Sequence, residues 1–434
     1  MTQGYDAIII GAGVIGAAIG LELARAGRRT LNIDKHPAAG YGPTSNSCAI
    51  IRMHYSTLDG TALAYDGYHY WRNWSDYVGH TDERGLARFV GCGCLVMKTE
   101  ENDNLANVMR HVEALGINHA HWDAERVTAE LPMYRMQRFA PPKSMKDPSF
   151  GEPSGGDLPG GVFFPTAGYI SDPQLATHNL QRAAEAAGGT FLFNSRVVEI
   201  PTENNRVTGV VLEDGTRIEA PIVVNVSGPH STIVNKMVGA DTDMKITTKP
   251  VRQEVVHVPS PKGVNFENDG MVVSDNDIGC YIRPEIGNHI LVGSEDPECD
   301  PREVVNPDRY NSQLTDQALT QAYRYAQRAP SLEVPPRPNG VVDLYDVSDD
   351  WIPIYDRSRI DGFYMAIGTS GNQFKNAPCA GRMMAQLIDY CEAGNDHDAK
   401  PFQYKLEYVD RTINTATFSR LRKINPNSTF SVLG

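Results

Sequence analysis

Three glycines near the start of the chain have the spacing of a phosphate-binding turn. Gly11, Gly13 and Gly16 follow the apolar segment Tyr5 to Ile10 and precede a segment of helical composition. The first glycine permits the sharp bend, the second lets the backbone approach a pyrophosphate, and the third lets helix and strand pack closely. Asp34 ends the next apolar segment, where a carboxylate can accept hydrogen bonds from a ribose. These residues predict a dinucleotide site.

The elements that position this turn form a predicted β-α-β unit. We expect a strand at Tyr5 to Ile10, a helix at Ala17 to Ala26 that ends at Gly27, and a strand at Thr30 to Ile33. The uncharged run Ala7 to Leu21 is too short to cross a membrane and follows Asp6 rather than basic residues. We therefore interpret it as buried core and expect a cytoplasmic protein that does not bind a membrane.

Length and charge restrict the class of protein. The 434 residues suggest about two to three domains. The net charge of −13 argues against nucleic acid or an anionic membrane as the main partner, because both require basic surface. The seven cysteines are scattered, and only Cys92 and Cys94 are close together. We expect reduced thiols and no metal site.

The rest of the chain alternates between helical and strand patterns. Residues 62–78 form an aromatic stripe at helical spacing, and 140–161 are rich in proline and glycine. Ser171 or Asp172 and Pro173 are helix start signals. We predict the further elements in chain order: a helix to about Ala187, strands at 190–200, 206–212, 221–226 and within 250–295, a helix at 308–328, a linker at Pro330 to Pro338, a strand at Gly362 to Ile367, a helix at Ala377 to Tyr390, and a polar tail after Ala393.

Several motifs together resemble those of one enzyme family. Besides the glycine turn, they are Thr44-Ser-Asn-Ser-Cys-Ala-Ile-Ile-Arg52, Val223-Val-Asn-Val-Ser-Gly228, Tyr281-Ile-Arg-Pro-Glu285, Ser348-Asp-Asp-Trp-Ile-Pro353 and Gly362-Phe-Tyr-Met-Ala-Ile-Gly-Thr-Ser-Gly-Asn-Gln-Phe-Lys-Asn-Ala-Pro378. The chain resembles the D-amino acid oxidase-like FAD oxidoreductases, in particular the sarcosine oxidase and dimethylglycine dehydrogenase branch. The last motif is the most specific.

The resemblance implies an α/β fold with two domains of the glutathione-reductase type. One is a Rossmann-like FAD-binding domain, and the other is a substrate domain built on an antiparallel sheet. The expected segments are 1–60, 151–245 and 336–394 for the FAD-binding domain, 61–150 and 246–335 for the substrate domain, and 395–434 for a tail packed on the body.

The motif alone leaves FAD and NAD open. Its position at the N-terminus and the loop of serine, threonine and asparagine after Asp34 favour FAD, and the resemblance implies FAD more strongly. The residues expected at the cofactor are Gly11, Gly13, Val14, Ile15, Gly16, Asp34, Lys35, Ser45, Asn46, Val197, Ser227, Gly228, Gly368, Gly371, Asn372, Gln373, Phe374 and Lys375. Backbone amides at 371–375 would stabilise the negative charge of a reduced flavin.

The resemblance also implies a site for the substrate carboxylate. In the sarcosine oxidase branch an arginine after the loop and the lysine of the last motif hold it, and here these are Arg52 and Lys375. An arginine presents a planar fork to a carboxylate, and a lysine adds a second positive charge. Tyr281, Asn372, His54 and Tyr55 are expected to line the site.

Two departures from the family pattern modify these expectations. The family's Gly-His-Gly is Gly371-Asn372-Gln373 here, so two amides replace the histidine. The cysteine that binds flavin covalently in some members is replaced near Asp343, so we expect non-covalent FAD, with attachment at His54 or Cys48 as the alternative. No residue settles whether the chain is an oxidase or a dehydrogenase.

The predicted function is oxidation of the C–N bond of an amino acid that bears a carboxylate. Its amine could be primary, secondary or tertiary, and we favour an N-methyl amino acid. The electron acceptor would be O2 or another molecule, and the assembly a homo-oligomer or a hetero-oligomer. Four alternatives are kept: the FAD subunit of a hetero-oligomeric dehydrogenase, a D-amino acid dehydrogenase, a flavin monooxygenase and a non-enzymatic binding protein.

Overall fold

The first large sheet has six strands and contains the predicted β-α-β unit. A computed structural model describes residues 4–102 and 104–432. The strands lie in the order Ile354–Arg357, Phe363–Ile367, Val223–Asn225, Ala7–Ile10, Thr30–Ile33 and Thr190–Leu192. All neighbours are parallel except the first two. This sheet confirms the predicted Rossmann-like part of the fold.

Three long helices pack against this sheet and against one another. They are Val14–Arg25, Pro173–Ala186 and Ala377–Glu392. Ile8 and Leu21, from the apolar run, are fully buried. The run is therefore core, as predicted. Among the described residues, no helix combines the length and apolarity needed to cross a membrane.

The second large sheet has eight strands and is mostly antiparallel, as expected of the substrate domain, but its strands Asn339–Ser348 and Gly160–Phe164 come from segments that were expected in the FAD-binding domain. In order the eight strands are Asn339–Ser348, Thr248–Pro259, His289–Ser294, Cys280–Glu285, Val272–Asp275, Cys94–Met97, Gly160–Phe164 and Ala120–Asp123. Only Val272–Asp275 and Cys94–Met97 are parallel neighbours. The two sheets together confirm the predicted α/β fold class.

Smaller elements complete the described part of the chain. The other α-helices are Leu58–Arg72, Trp74–Val78, Leu105–Ala114, Ala124–Glu130, Ser231–Val238, Phe266–Asp269 and Asp316–Arg328. Short 3-10 helices lie at Gly228–His230, Ala240–Thr242, Phe374–Asn376 and Thr415–Phe418. The short strands are Ile50–Ile51, Phe89–Val90, Gly168–Ile170, Val197–Glu199, Thr202–Glu203, Arg206–Val207, Gly209–Leu212, Arg217–Glu219, Gln403–Lys405 and Thr412–Asn414.

Most predicted elements are present, but some boundaries were wrong. The helix at 173 is capped as expected, because the Asp172 carboxylate accepts a hydrogen bond from the Leu175 amide at 2.8 Å. The first helix begins at Val14 rather than Ala17. The predicted strand 190–200 is interrupted at Asn194, whose φ of 53° cannot continue a strand. The helix expected from 308 begins only at Asp316, where Thr315 caps it.

The last segment of the chain is held against the body by buried charges. Arg420 pairs with Asp243, Asp356 and Asp398. Farther along, Val432 reaches the second sheet and packs near Trp351. The segment therefore carries a residue back to the region between the two sheets.

Candidate active site

A cleft of about 540 Å³ runs from the glycine turn to residues of the second sheet. Gly11, Asp34, Arg52, Tyr281 and Lys375 all line it. Residues from both large sheets therefore meet in one cavity, which joins the predicted dinucleotide site to the predicted carboxylate site.

The glycine turn is shaped by contacts that exclude larger residues. Gly11 has φ of +123°, and a Cβ there would lie 2.3 Å from the Val226 carbonyl oxygen. A Cβ on Gly16 would lie 2.3 Å from the carbonyl oxygen of Gly11. At the start of the helix the Val14 amide donates to the Thr44 hydroxyl at 3.2 Å. Gly13, Val14 and Thr44 all line the cleft, so the helix N-terminus faces it with one hydroxyl beside it, and a helix N-terminus suits a pyrophosphate.

Asp34 is fixed at the cleft by its own surroundings. Its carboxylate accepts hydrogen bonds from the amides of Ala12 at 2.8 Å and His36 at 2.9 Å. Neighbouring Lys35 donates to Asp308 at 2.8 Å and also contacts His230. Arg196 pairs with Asp308 too, and these interactions hold the pKa of Asp308 well below its usual value. Lys35 thus lies at the same end but has a carboxylate partner already.

The loop after Asp34 forms one wall of the cleft. Asn46 donates to the Asp343 carboxylate at 2.6 Å, and burial raises the pKa of Asp343. Ser45 differs from the expectation, because it is not among the lining residues and donates within the loop to the Gly42 carbonyl at 2.8 Å. Val197, Ser227 and Gly228 line the dinucleotide end.

Residues 371–375 form the opposite wall, just before the helix Ala377–Glu392. Gly371 has φ of +68°, and a Cβ there would lie 2.4 Å from the ring of Tyr345. The Gln373 side chain donates to Asn372 and accepts from Tyr355 at 3.1 Å. The two amides that replace the family's histidine therefore bond to each other at the cleft. Gly368 lies behind this wall and donates to Asp346 at 2.7 Å.

Arg52 and Lys375 both line the cleft and are buried. Arg52 is 8% exposed, and its guanidinium donates to the carbonyls of His54 and Val432 and stacks on Tyr55. Lys375 is 3% exposed and donates to the Tyr55 hydroxyl and the Asn372 carbonyl. Burial, and then the charge of Arg52, hold the pKa of Lys375 well below its usual value. Neither side chain has an ion pair within the described residues.

The other predicted substrate residues differ in position. Tyr281 lines the cleft, and its hydroxyl lies 3.5 Å from the Cys48 sulfur. His54 is not among the lining residues, because its ring stacks on Phe164 with centroids 4.8 Å apart. Burial, Arg52 and Lys375 lower the pKa of His54 well below its usual value, so the ring is neutral. Tyr55 lies behind the two cations and bonds to both Lys375 and Asn372.

Several lining residues were missed by the sequence analysis. They are Thr44, Cys94, Gln253, Ser274, Glu295, Asp308 and Val432. Glu295 was detectable in principle, because Ser294, Glu295 and Asp296 form a polar cluster directly after an apolar strand. Its proximity to Arg52 depends on the fold, because the two residues lie far apart in sequence.

The chain matches known proteins over most of its length. Residues 6–387 match the family model described as FAD dependent oxidoreductase. Glycine oxidase from Geobacillus kaustophilus is 24% identical over 409 residues, which cover 91% of this chain and 96% of that protein. N-methyl-L-tryptophan oxidase from Escherichia coli is 27% identical over 205 residues, 47% of this chain and 49% of that protein.

Solved structures share the fold. L-proline dehydrogenase from P. horikoshii superimposes with a TM-score of 0.74 and 20% identity, over 97% of this chain and 98% of that one. The structure of glycine oxidase from Geobacillus kaustophilus gives a TM-score of 0.74 and 21% identity, over 98% and 100% of the two chains.

Proposed function

This chain belongs to the family of FAD-dependent oxidoreductases, and on that premise we propose that it oxidises the C–N bond of an amino acid. The family, the oxidoreductase class and FAD as cofactor are thereby confirmed as the sequence predicted. The substrate and the roles of individual residues form the proposal. The observation that carries it is the pair of buried cations, Arg52 and Lys375, without an anionic partner in the described chain.

The cleft fits FAD at its glycine end. The helix N-terminus at Gly13, with the Thr44 hydroxyl beside it, would meet the pyrophosphate, and Asp34 would accept hydrogen bonds from the ribose. Asn46 and residues 371–375 would border the flavin. When bound, FAD supplies the hydride acceptor for the substrate's C–H bond. No side chain is needed for that redox chemistry, so the protein's contribution is binding and orientation.

Arg52 and Lys375 would bind the carboxylate of the substrate. A buried cation without a counter-ion is costly, and a ligand anion removes that cost. The arginine fork fixes the orientation of a carboxylate, and the lysine adds charge beside it. With its carboxylate held there, the substrate's C–H bond next to nitrogen is directed toward residues 371–375, where the flavin would lie. The resulting imine is then hydrolysed by water.

The relatives' names support an amino-acid substrate. They do not decide whether the substrate amine is unsubstituted or N-methylated. One is a glycine oxidase and another an N-methyl-L-tryptophan oxidase, so the group includes proteins named for both unsubstituted and N-methylated amines. We propose that this chain acts on an N-methyl or otherwise secondary or tertiary amine. Asn372 and Gln373, which replace the family's histidine, put two neutral amides on the wall formed by residues 371–375.

A panel of amines tests this function by flavin bleaching. The holoenzyme is mixed without oxygen with sarcosine, dimethylglycine, cyclic amino acids, D- and L-amino acids and the same amines lacking the carboxylate. We expect a carboxylate-bearing amine to bleach the flavin band and its decarboxylated analogue not to. Readmitting air then separates an oxidase, whose band returns, from a dehydrogenase. Bleaching by amines regardless of carboxylate would contradict the proposal.

The variant Arg52→Ala tests the carboxylate site directly. Loss of a charge-assisted bond of about 2–4 kcal/mol corresponds to roughly 30- to 1000-fold in kcat/KM. Arg52→Lys is the matched control, because it keeps the charge and should lose less. The flavin absorbance of both variants reports that FAD remains bound. A change below about threefold in Arg52→Ala would remove Arg52 from the site.

A further inference from the structure

A buried carboxyl group faces the cleft at the same end as the two cations. Glu295 follows the strand His289–Ser294, lines the cleft and is 3% exposed. Its Oε1 accepts a hydrogen bond from the Ser274 hydroxyl. Its Oε2 has no hydrogen-bond partner among the described residues. A buried oxygen of this kind costs free energy unless a ligand or water bonds to it.

Arg52 and Glu295 line the same cleft without forming an ion pair. The Arg52 charge acts on the Glu295 carboxyl, yet Arg52 donates its hydrogen bonds to the carbonyls of His54 and Val432. Cys94 and Ser274 lie on the wall beside them. One cavity thus contains a positive group and a carboxyl group that becomes negative when it loses its proton, and a zwitterionic ligand would be complementary to both.

The charged surroundings of Glu295 favour a cation over a second anion. Burial, together with the carboxylates of Asp275 and Asp296, raises the pKa of Glu295 to about 8, against the opposing effects of Ser274 and Arg52. The neighbouring thiols of Cys94 and Cys280 have raised pKa values and stay neutral. Near neutral pH the empty site therefore holds a proton on Glu295, and a ligand cation would displace it.

We infer that Glu295 binds the positively charged nitrogen of the substrate whose carboxylate is held by Arg52, and that it accepts the N–H proton so that the nitrogen is neutral when the C–H bond is oxidised. The inference rests on the proposed function, because it presupposes the carboxylate at Arg52. It assigns the preferred ligand class as zwitterions over plain carboxylates. Glu295 would thus select ligands that carry an amine, whereas Arg52 and Lys375 bind the carboxylate and cannot make that selection.

Two ligands of equal shape show how much the positive charge on nitrogen contributes to binding. Trimethylammonium acetate carries a fixed positive charge and has no nitrogen lone pair, so it cannot be converted to an imine. Its isostere 3,3-dimethylbutanoate has the same carboxylate and no positive charge. Binding of each to the holoenzyme is followed by the change in flavin absorbance. We expect the wild type to prefer the zwitterion by about tenfold or more.

Matched variants show whether that preference resides in Glu295. Glu295→Gln keeps the bond to Ser274, loses the ionisable oxygen and should reduce the preference to below about twofold. Asp296→Asn removes the neighbouring buried carboxyl, which does not line the cleft and bonds to Gln253, and should retain the preference. An equal preference in the wild type and Glu295→Gln would overturn the inference.

Proton release on binding distinguishes a direct role of Glu295 from a structural one, because a residue that only supports the fold would not change the number of protons released. Calorimetry at pH 7 in two buffers measures protons exchanged on binding, and the zwitterion should release about one proton more than its isostere. Glu295→Gln should abolish this difference. If the wild type binds both ligands equally, only the Glu295 inference fails. If it binds neither, the carboxylate site fails as well and both proposals are overturned.

Discussion

At the scale of single residues, Lys375 couples carboxylate binding to pH. Burial and the charge of Arg52 depress the pKa of this lysine, and its partners are the Tyr55 hydroxyl and the Asn372 carbonyl rather than an anion. A carboxylate binds the protonated lysine better. Affinity should therefore fall as the pH rises through the lowered pKa, by up to about tenfold per pH unit.

The Glu295→Gln background removes the other titrating group from that measurement. In it, binding of 3,3-dimethylbutanoate is measured across pH, with and without the added change Lys375→Met. The methionine keeps much of the stem volume and has no proton to lose, so the pH dependence should flatten. An unchanged slope in the double variant would mean that a group other than Lys375 controls carboxylate binding.

Where a motif specified the position, the sequence predicted residues that line the cleft. The glycine turn and Asp34 lie within one local unit, and their spacing alone indicates a nucleotide site. Arg52 and Lys375 were identified only through resemblance to a family. Glu295 has no such motif, because its significance comes from a neighbour on a different sheet. Pairings between distant residues require the fold.

At the scale of elements, the contact between the first strand and the first helix depends on Gly16. A Cβ at this position would lie 2.3 Å from a backbone oxygen, so Gly16→Ala must push the turn and the helix apart. We expect a loss of about 1–3 kcal/mol in stability. Since the turn also shapes the phosphate site, the dissociation constant for FAD should rise at least about tenfold.

The measurement is titration of the apoprotein with FAD, combined with thermal unfolding. Gly4→Ala is the matched control, because the nearest atom to its Cβ would be 3.9 Å away. It should change neither quantity. If Gly16→Ala bound FAD as tightly as the wild type, the glycine turn would not be the pyrophosphate site.

Element predictions failed where a side-chain cap or a single dihedral angle determined the boundary. The strand Thr30–Ile33 and the helix from Pro173 follow local signals and were predicted within a residue or two. Asn194 interrupts a sequence with strand-like composition by adopting φ of 53°. The order of strands in either sheet was not predictable, because neighbours such as Val223–Asn225 and Ala7–Ile10 are distant in sequence.

At the scale of the whole molecule, the last segment of the chain connects the edge of the first sheet to the substrate end of the cleft. Arg420 pairs with Asp356 on the strand Ile354–Arg357, and Val432 accepts a hydrogen bond from Arg52. The same segment therefore contributes both to the stability of the body and to the surroundings of the proposed carboxylate site.

Arg420→Ala should be strongly destabilising and its effect should depend on pH. Asp356 is fully buried, so removing Arg420 takes away its arginine partner, at a cost of about 3–5 kcal/mol near neutral pH, while the Ser419 hydroxyl and His397 remain beside it. Burial already raises the pKa of Asp356 and Arg420 lowers it, so the pKa must rise in the variant. As the pH falls, Asp356 takes up a proton in the variant before it does in the wild type, and the difference between them should shrink.

Urea unfolding at pH 7.5 and pH 5 measures that difference. Arg29→Ala is the control, because its pair with Asp6 is exposed and should contribute less than about 1 kcal/mol at either pH. A pH-independent loss in Arg420→Ala would mean that the arginine acts through packing. A loss that shrinks in acid would show that the tail is held by charge compensation, since the carboxylates that pair with Arg420, Asp356 among them, need the arginine only when they are ionised.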